Sequence, residues 1–376
     1  MKHKLAIIGS GRMAWIVGGN AREMGVETYC FSNAVTPYIK DNVDHFIDIS
    51  IYEKDKIVEI CKENGVNGVL ATTELTVAIA SYIAEKLGSP GIPYDIASVI
   101  TDKYRNRIAC IGVQELSQPA FYRIKEPCEL LKVTCSYPVI VKPIGKGGKK
   151  GITVVNSAQE LSSAYQYAKE NSGDAPIIIE QFISGGQEYS VESLSCKGKH
   201  YIVQVTEKIS SGPPHCVELG HHQPAALSEG MRKKVESALS KGLTAIGVDN
   251  TTCHTEIKIV GESIYLIEFN ARPGGDHIAW PLTELSTGYN LIKGAISIAL
   301  NCFEEVDTSK LNHNFAGVYF VTKQTERLKT IFDSCDNEPW LYHKNKVSDE
   351  LQTLEHNDCY GTNSIMYFSK ENRIEL

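Results

Sequence analysis

Along the first hundred residues, short apolar runs alternate with stretches whose apolar residues recur at helical spacing. The runs "KLAIIG", "ETYCFS", "HFIDIS" and "NGVLATT" predict β-strands, and "MAWIVGGNAREMG" and "YEKDKIVEICKENG" predict helices. Strands and helices that alternate in this way form βαβ units around a parallel sheet. The pattern therefore predicts an α/β domain over residues 1–100.

From about residue 120 the pattern changes to longer strands and hairpins. Apolar runs such as "PVIVKPI", "PIIIEQFI" and "KHYIVQVTEK" predict strands, and helices are predicted at Ser157–Glu170 and Glu229–Ile246. The more polar tail, from about residue 303, contains a further predicted strand in "FAGVYFVT". The fold class is therefore α/β at the front of the chain and α+β behind it.

Composition and charge narrow the range of partners. The 376 residues are 42% hydrophobic and 22% charged, with a net charge of −7, so any basic site must be local and no general affinity for nucleic acid is expected. The apolar run Leu5–Ile8 is too short for a signal peptide or a membrane span. The 11 cysteines show no CxxC pair and are expected to be reduced thiols. We expect a cytoplasmic protein that does not bind membranes.

The first glycine-rich turn, "IIGSGRMA", has Gly9, Gly11 and Ala14 between a predicted strand and a predicted helix. This spacing is compatible with a dinucleotide site, which usually has an acidic residue at the end of its second strand. That strand ends here in Ser32 and Asn33, which favours a tight turn lining a substrate cleft over an NAD site.

Glu74 follows the predicted strand "NGVLATT" at the carboxyl edge of the sheet, where α/β proteins bind ligands. Its carboxylate has two interpretations. It holds a cationic group of a substrate, or it stands in the first turn of a helix capped by Thr72 or Thr73.

The segment "CHTEIKIVGESIYLIEFNARPGG" predicts a hairpin with polar residues on one face. A three-residue loop at Gly261–Ser263 would place Glu256 opposite Glu268 and His254 opposite Asn270. Ile257, Ile259, Tyr265, Ile267 and Phe269 would then form the opposite, apolar face and face the core.

Two opposed carboxylates destabilise a sheet unless a cation lies between them. Two carboxylates with an amide oxygen form a hard donor set suited to Mg²⁺ or Mn²⁺. The alternative is a solvated polar face on which Lys258 screens Glu256 and Glu268.

A basic loop follows the strand that ends near Lys142, in "YPVIVKPIGKGGKKGITVV", and holds Lys146, Lys149 and Lys150. Three interpretations are open: a solvated hairpin tip, a nucleic-acid contact, or a flap whose lysines and glycine N–H groups close over a polyphosphate. It is not a P-loop, because G-K-[ST] is absent and a strand follows.

Four segments occur in order along the chain: "TDKYRNR", "YPVIVKPIGKGGKKGI", "IIIEQFISGGQEYSVE" and "HTEIKI…IYLIEFNARPGG". Their order and spacing resemble the ATP-grasp superfamily of carboxylate–amine and carboxylate–thiol ligases, most closely its L-amino-acid ligase branch. The resemblance implies an ATP-grasp fold with a Rossmann-like pre-ATP-grasp domain at 1–100. A lid subdomain with a glycine-rich flap is implied at 101–195, a catalytic core with the metal-binding hairpin at 196–302, and a C-terminal subdomain at 303–376.

The resemblance also implies roles for individual residues. The implied nucleotide-binding residues are Lys103, Lys142, Lys146, Gly147, Gly148, Lys149, Glu180, Gln181, Phe182, Ile183 and Glu188. The implied metal ligands are Glu256, Glu268 and Asn270. The residues implied near an amino-acid substrate are His215, Glu218, His221, Arg272, Gly274 and Gly275, in addition to Glu74 at the sheet edge, although His221 and His222 would otherwise be read as a surface loop. Arg272, Lys142 and Glu268 are the implied catalytic residues.

The activity implied by the resemblance is ligation with ATP and Mg²⁺ (or Mn²⁺). A carboxylate, expected to be that of an amino acid, is activated as an acyl-phosphate and joined to an amine, forming ADP and phosphate. The partners are then small molecules, and a homodimer is compatible. Three alternatives stay open: transfer to a carrier-protein thiol, a purine-biosynthesis-type ligase, and a non-catalytic nucleotide-binding regulatory module.

Overall fold

The computed structural model describes residues 3–34, 36, 38–145 and 147–376. The N-terminal part has a four-stranded parallel sheet of order β3-β2-β1-β4, which confirms the predicted α/β domain. Its elements are β1 (Lys4–Ile8), α1 (Arg12–Glu23), β2 (Glu27–Phe31), β3 (His45–Ile47), α2 (Lys54–Asn64), β4 (Gly68–Ala71), α3 (Glu74–Leu87) and α4 (Tyr94–Ile100).

Strand β1 is buried on both faces because helices cover both sides of the sheet. Leu5 and Ile7 pack in one apolar cluster with α1, whereas Ala6 and Ile8 pack in another with α2 and α3. This alternation follows from the period of two along a strand. A strand buried on both faces reads as the continuous apolar run seen in the sequence.

The glycine turn after β1 is tight, as the sequence indicated. Gly9 has φ +98°, and a Cβ there would lie 3.0 Å from the Thr72 hydroxyl oxygen at the end of β4. Glycine is therefore required both by the backbone conformation and by the close approach of β4. Gly11 follows at the N-terminus of α1 and borders the cleft described below.

A second sheet forms the lid over the cleft. It contains four antiparallel strands in the order β5-β8-β6-β7. One face packs against a long helix through Leu161, Ala164 and Ala168. The elements of this part are α5 (Lys103–Ala109), β5 (Phe121–Ile124), β6 (Val139–Pro143), β7 (Thr153–Val155), α6 (Ala158–Ser172) and β8 (Ile177–Gln181).

The third sheet is the largest, with eight antiparallel strands in the order β13-β12-β9-β10-β11-β14-β16-β15. Its strands are β9 (Gln187–Cys196), β10 (Lys199–Ser210), β11 (Glu218–Gln223), β12 (Thr251–Val260), β13 (Ser263–Asn270), β14 (Phe315–Phe320), β15 (Leu341–Asn345) and β16 (Ser364–Ser369). The helices of this part are α7 (Glu229–Ile246), α8 (Thr283–Thr287), α9 (Leu291–Ala299) and α10 (Lys329–Ser334). Within the described residues, no helix is long and apolar enough to cross a membrane.

The sheets divide the chain differently from the expected boundaries. The lid sheet ends at Gln181 and β9 already belongs to the central sheet, so the division expected at 195 moves back to residues 182–186. Strands β14, β15 and β16 extend the same central sheet from β11. Residues 303–376 therefore complete the core sheet and do not form a sheet of their own.

The hairpin of β12 and β13 has a shorter connection than expected. Val260 pairs with Ser263, so the turn is Gly261–Glu262, two residues instead of three. The register set by this turn continues to the pair Ile257 and Leu266.

A bulge then restores the predicted opposition of the two carboxylates. The two-residue turn alone would place Glu256 opposite Ile267. Because the register shifts by one residue after Glu256, this residue pairs with Glu268, and His254 pairs with Asn270. The extra residue on β13 is Ile267, and an unpaired residue of this kind redirects neighbouring side chains.

The bulge also changes which side chains reach the core. The expected burial of Ile257, Ile259 and Phe269 is confirmed. The expected burial of Tyr265 and Ile267 in the same face is wrong, because Ile264 and Leu266 occupy the core there. Ile267 instead lines the cleft.

Candidate active site

A cleft of about 400 Å³ lies where the three sheets meet. It is bordered by the N-terminal glycine turn, the lid strands, the β12–β13 hairpin and a segment of the C-terminal tail. Residues implied by the sequence that line it are Glu74, Lys103, Lys142, Gly147, Gly148, Lys149, Glu180, Gln181, Phe182, Ile183, Glu188, Glu218, Glu256, Glu268, Arg272 and Gly275. The cleft thus brings together residues, such as Glu74 and Gly275, that lie about 200 positions apart in the sequence.

The two opposed carboxylates of the hairpin each have a lysine partner. Lys103 Nζ lies 2.7 Å from Glu268 Oε2, and Lys208 Nζ lies 3.0 Å from Glu256 Oε1. Burial alone raises the pKa of Glu256, but Lys208 and Lys149 lower it well below its usual range. Burial likewise raises the pKa of Glu268, and Lys103 brings it below the ordinary value. Both groups are therefore carboxylates at neutral pH.

These residues fit a divalent cation such as Mg²⁺. Asn270 is buried beside them, and its Nδ2 donates to Glu268 Oε1 at 2.9 Å. The donor atoms at the opposed pair are carboxylate and amide oxygens, the set that hard cations prefer. The ammonium groups of Lys103 and Lys208 show that this position already attracts positive charge. The alternative of a solvated polar face is wrong, because Glu268 and Asn270 are 9% and 4% exposed.

A second charged group lies under the lid. Arg107 Nε is 2.6 Å from Glu180 Oε1, and Lys142 Nζ is 2.5 Å from Glu180 Oε2. All three side chains are almost completely buried. Burial alone raises the pKa of Glu180, but Arg107 and Lys142 lower it to about 2. Two cations therefore share one carboxylate, which leaves a net charge of +1 facing the cleft.

The apolar end of the cleft lies at the linker between β8 and β9. Gln181, Phe182 and Ile183 line it, together with Ile267 from the bulge. The Lys258 ammonium lies 3.7 Å from Glu188 and 5.2 Å from the centre of the Phe182 ring. A flat aromatic or aliphatic surface with a carboxylate at its border suits a base and its ribose.

The glycine-rich flap is closed over the cleft. A Cβ on Gly147 would lie 1.9 Å from Glu74 Oε2, so the flap backbone contacts this carboxylate. The backbone N–H of Asn357, in the C-terminal tail, donates to the Gly148 carbonyl at 3.1 Å. Lys149 Nζ lies 4.0 Å from both Glu218 and Glu256. The flap residue Lys146 lies outside the described residues.

Glu74 lies in the first turn of a helix and also borders the cleft, so both features expected from the sequence are present. It is the first residue of α3, after the N-cap residue Thr73, and its side chain also reaches the cleft. Its Oε1 lies 3.9 Å from Lys103 Nζ, and Lys103 in turn contacts Glu268. Glu74 thus links the N-terminal sheet to the hairpin.

The loop after β13 places Arg272 in the cleft among several carboxylates. Burial lowers the pKa of its guanidinium, but Glu74, Glu268 and Glu256 raise it above the usual range. Gly275 borders the cleft as well. Gly274 does not, because its N–H donates to Glu192 Oε2 at 3.0 Å and it packs against the buried Glu192–His254 pair.

Of the segment that the sequence predicted near an amino-acid substrate, only part lines the cleft. Glu218 lines the cleft, 2.6 Å from Lys208 Nζ. His221 lies behind Glu218, with Nε2 3.1 Å from its carboxylate, and is not among the cleft residues. The surface-loop interpretation is wrong for His221 and His222, since both are 0% exposed on β11. His215 lies outside the cleft, where Nδ1 is 3.3 Å from the Ile152 carbonyl oxygen.

Sequence reasoning missed five residues that line the cleft, Arg12, Arg107, Asp276, Asn357 and Tyr360, and also Lys208, which contacts two of its carboxylates. Lys208 had a detectable signal, because a lysine in the long strand "KHYIVQVTEKIS" is unusual unless it is paired. The others come from the first residue of α1, from the short helix α5 and from loops or a single turn, where the fold sets the direction of each side chain.

Comparisons with known proteins agree with this arrangement. Residues 135–280 match the ATP-grasp domain family. The chain is 24% identical over 245 residues to an alanine–anticapsin ligase of Bacillus subtilis, covering 59% of this chain and 51% of that protein. The chain thus spans about half the length of that relative. It is 22% identical over 319 residues to a formate-dependent phosphoribosylglycinamide formyltransferase of Nitratiruptor, covering 79% of this chain and 77% of that protein.

Among solved structures, an L-amino acid ligase from Bacillus licheniformis has the same fold. The two superpose with a TM-score of 0.82 at 22% sequence identity, over 98% of this chain and 94% of the other. The similarity includes the N-terminal parallel sheet and the two antiparallel sheets behind it.

Proposed function

Since residues 135–280 of this chain are an ATP-grasp domain, we propose that the protein is an ADP-forming ligase that joins an amino acid to an amine. The observation that carries the proposal is the opposed pair Glu256 and Glu268 in a cleft closed by the flap. The relatives named as an alanine–anticapsin ligase and an L-amino acid ligase support amino acids as substrates.

In the proposed reaction, a substrate carboxylate oxygen attacks the γ-phosphorus of ATP, and ADP leaves. The acyl-phosphate that forms is attacked at its carbonyl carbon by an amine, which loses a proton, and phosphate leaves. No side-chain nucleophile is needed. The chain contributes positioning and charge neutralisation, which dominate catalysis of phosphoryl transfer.

The residues of the cleft divide these tasks. Glu256 and Glu268, with Asn270, would hold a divalent cation, which when bound neutralises charge on the phosphate oxygens. Lys142, which shares Glu180 with Arg107, faces the cleft with uncompensated positive charge that suits a phosphate.

Arg272 and the closed flap act on the reacting end of the substrate. The Arg272 guanidinium lines the cleft and is permanently charged, and in the proposed reaction it stabilises the oxyanion of the tetrahedral intermediate. The closed flap, with Lys149 near Glu256, would keep water from the acyl-phosphate.

The decisive assay measures ADP and phosphate release with Mg²⁺ over all pairs of the 20 standard L-amino acids. Formate with a phosphoribosyl amine, and a carrier-protein thiol, belong in the same panel. Formate with a phosphoribosyl amine is included because the formyltransferase relative aligns over a larger share of this chain than the alanine–anticapsin ligase does. ADP release that needs two amino acids is the expected result. No ADP release with any carboxylate would overturn the ligase proposal in favour of a binding module.

The metal site is tested by Glu268→Gln with Glu262→Gln as the matched control. Glu262 lies in the turn of the same hairpin, 78% exposed. We expect Glu268→Gln to abolish turnover and to weaken Mn²⁺ binding, measured by calorimetry, while the circular dichroism spectrum stays unchanged. Activity like that of the wild type in Glu268→Gln would remove this residue from the metal site.

A further inference from the structure

The cleft contains a cation that none of the assigned steps uses. The Arg12 guanidinium carbon lies 4.3 Å from the centre of the Trp15 ring, 5.8 Å from that of Tyr38 and 6.0 Å from that of Tyr360. No carboxylate of residues 3–34, 36, 38–145 or 147–376 forms an ion pair with it. Stacking on an aromatic ring holds a guanidinium in place and leaves its in-plane N–H groups free to donate. Arg12 therefore offers a preformed site for an anion.

The carboxyl group of Asp276 borders the same cleft. Asp276 follows Gly275 in the loop after β13, with a left-handed backbone of φ +55°. Burial and the neighbouring Glu218 raise its pKa. Glu218 has the Lys208 ammonium at 2.6 Å, whereas no lysine or arginine in the described part of the chain forms an ion pair with Asp276.

Tyr360 lies between these two groups. Its ring faces Arg12, and its hydroxyl is 3.5 Å from the backbone nitrogen of His277, the residue after Asp276. Its ring centre is also 4.7 Å from that of His277. Tyr360 thus relates the Arg12 guanidinium and the Asp276 carboxyl group, and the three side chains border one end of the cleft.

We propose that this pocket end is the acceptor subsite and that it binds a zwitterionic α-amino acid, with the carboxylate on Arg12 and the ammonium group on Asp276. This inference rests on the proposed ligase function and specifies its second substrate. A guanidinium and a carboxyl group at one end of the cleft match the two charges of a free amino acid. A carrier-protein thiol presents neither charge, and a simple amine presents only one. The bound ammonium group gives one proton to the Asp276 carboxylate or to solvent and becomes the nucleophile; it loses a second proton to solvent as the amide bond forms and phosphate leaves.

The carboxylate contact is tested with Arg12→Met and two acceptors, the active amino acid and its carboxamide. Arg12→Met should raise the KM for the amino acid about tenfold to hundredfold, the range expected for losing a charge-assisted contact. The KM values for the carboxamide and for ATP should not change. Arg22→Met, at the other end of α1, is the control and should behave as the wild type. Equal losses with both acceptors, no loss at all, or a raised KM for ATP would overturn this assignment.

The ammonium contact is tested with Asp276→Asn. Asparagine tolerates the left-handed conformation, so the loop geometry is kept. The KM for the amino acid should rise, whereas inhibition by the matching 2-hydroxy acid, which has no ammonium group, should stay the same. Equal weakening of both ligands would show a structural effect and overturn the assignment of Asp276.

Failure of this inference is distinguishable from failure of the proposed function. If the wild type forms ADP but neither variant distinguishes the amino acid from its carboxamide or its 2-hydroxy acid, only the assignment of the subsite is wrong. If the wild type forms no ADP, titration calorimetry with the 20 amino acids and their carboxamides, in the presence of a non-hydrolysable ATP analogue and Mg²⁺, still tests the pocket. Binding of an amino acid that Arg12→Met removes would support the subsite, and no binding to the wild type would overturn it.

Discussion

Removing the Glu180 carboxylate should expose how the buried charges of the lid are balanced. Glu180 accepts from Arg107 at 2.6 Å and from Lys142 at 2.5 Å. Glu180→Gln keeps the shape of the side chain and removes its charge, so two buried cations are left without an anion. Burial, Arg107 and Lys103 already lower the pKa of Lys142, and loss of Glu180 should lower it further.

The size of the effect follows from the cost of removing the Lys142 proton. An unfolded lysine has a pKa near 10.4, so deprotonation at pH 7 costs about 5 kcal/mol. Keeping both cations buried and unpaired costs a similar amount, since breaking a buried ion pair costs about 3–5 kcal/mol. We therefore expect Glu180→Gln to lower the free energy of unfolding by about 3–5 kcal/mol at pH 7.

The same reasoning gives the pH dependence a sign. If Lys142 is neutral in the folded variant, the unfolded state binds one proton more below about pH 10.4, and the variant gains stability as the pH rises. At pH 9 the deprotonation cost is only about 2 kcal/mol, so the difference in the free energy of unfolding between the variant and the wild type should be smaller than at pH 7. Urea unfolding at pH 7 and pH 9, followed by fluorescence, measures both quantities.

Glu170→Gln is the matched control, because Glu170 is exposed on α6 of the same lid. It should change the free energy of unfolding by less than about 0.5 kcal/mol. If Glu180→Gln does not fold, Lys142→Met/Glu180→Gln should recover folding by removing the second cation. A loss below about 1 kcal/mol for Glu180→Gln would refute the reasoning, and a loss that is the same at pH 7 and pH 9 would contradict the deprotonation of Lys142.

Three further predictions concern other parts of the fold. Gly186 and Gly185 have φ of +67° and +69°, but only at Gly186 does a Cβ meet a backbone carbonyl oxygen, at 2.1 Å. In urea unfolding, Gly186→Ala should therefore destabilise by about 2–4 kcal/mol and Gly185→Ala by about 1 kcal/mol, and equal losses would contradict the clash. Burial, with help from neighbouring cations, lowers the pKa of His222 to about 2. Because the unfolded state alone binds a proton below about pH 6.5, stability should fall by about 1.4 kcal/mol per pH unit from pH 6.5 to 5 on account of this residue. His222→Phe should reduce the slope by that amount, and an unchanged slope would assign the acid sensitivity elsewhere. Lys208→Met removes the nearest ammonium group from the carboxylates of Glu218 and Glu256 and should cost about 3–5 kcal/mol without divalent cation. Millimolar Mg²⁺ should reverse part of the decrease in the thermal midpoint of Lys208→Met, and a decrease that Mg²⁺ does not change would contradict a cation site at this position.

Local patterns predicted the elements of this protein well, because each depends on neighbours in the chain. The helix predicted at Glu229–Ile246 has those bounds in the structure. The alternation of apolar runs and helices identified the N-terminal parallel sheet, and the hairpin pattern placed Glu256 opposite Glu268. That opposition was reached with a loop one residue too long, and a bulge compensates for the difference.

Tertiary contacts decided what sequence spacing cannot encode. Whether a polar side chain on a strand faces water or a buried cleft depends on which sheet covers it. Burial of His221 and His222 therefore could not be read from "ELGHHQ". Likewise, Lys208 acquired its partners from two other strands, and Arg107 and Lys142 came to share one carboxylate.

The sequence by itself determined most of the secondary structure, the order of the sheets' segments and the residue types that we propose to hold a nucleotide and a divalent cation. These follow from local propensity, side-chain periodicity and chemistry. Only the tertiary structure decided how the charges are paired and which residues form the second end of the cleft. Ion pairing depends on distances of a few ångströms between distant segments, and the burial that strengthens it exists only once the three sheets have packed together.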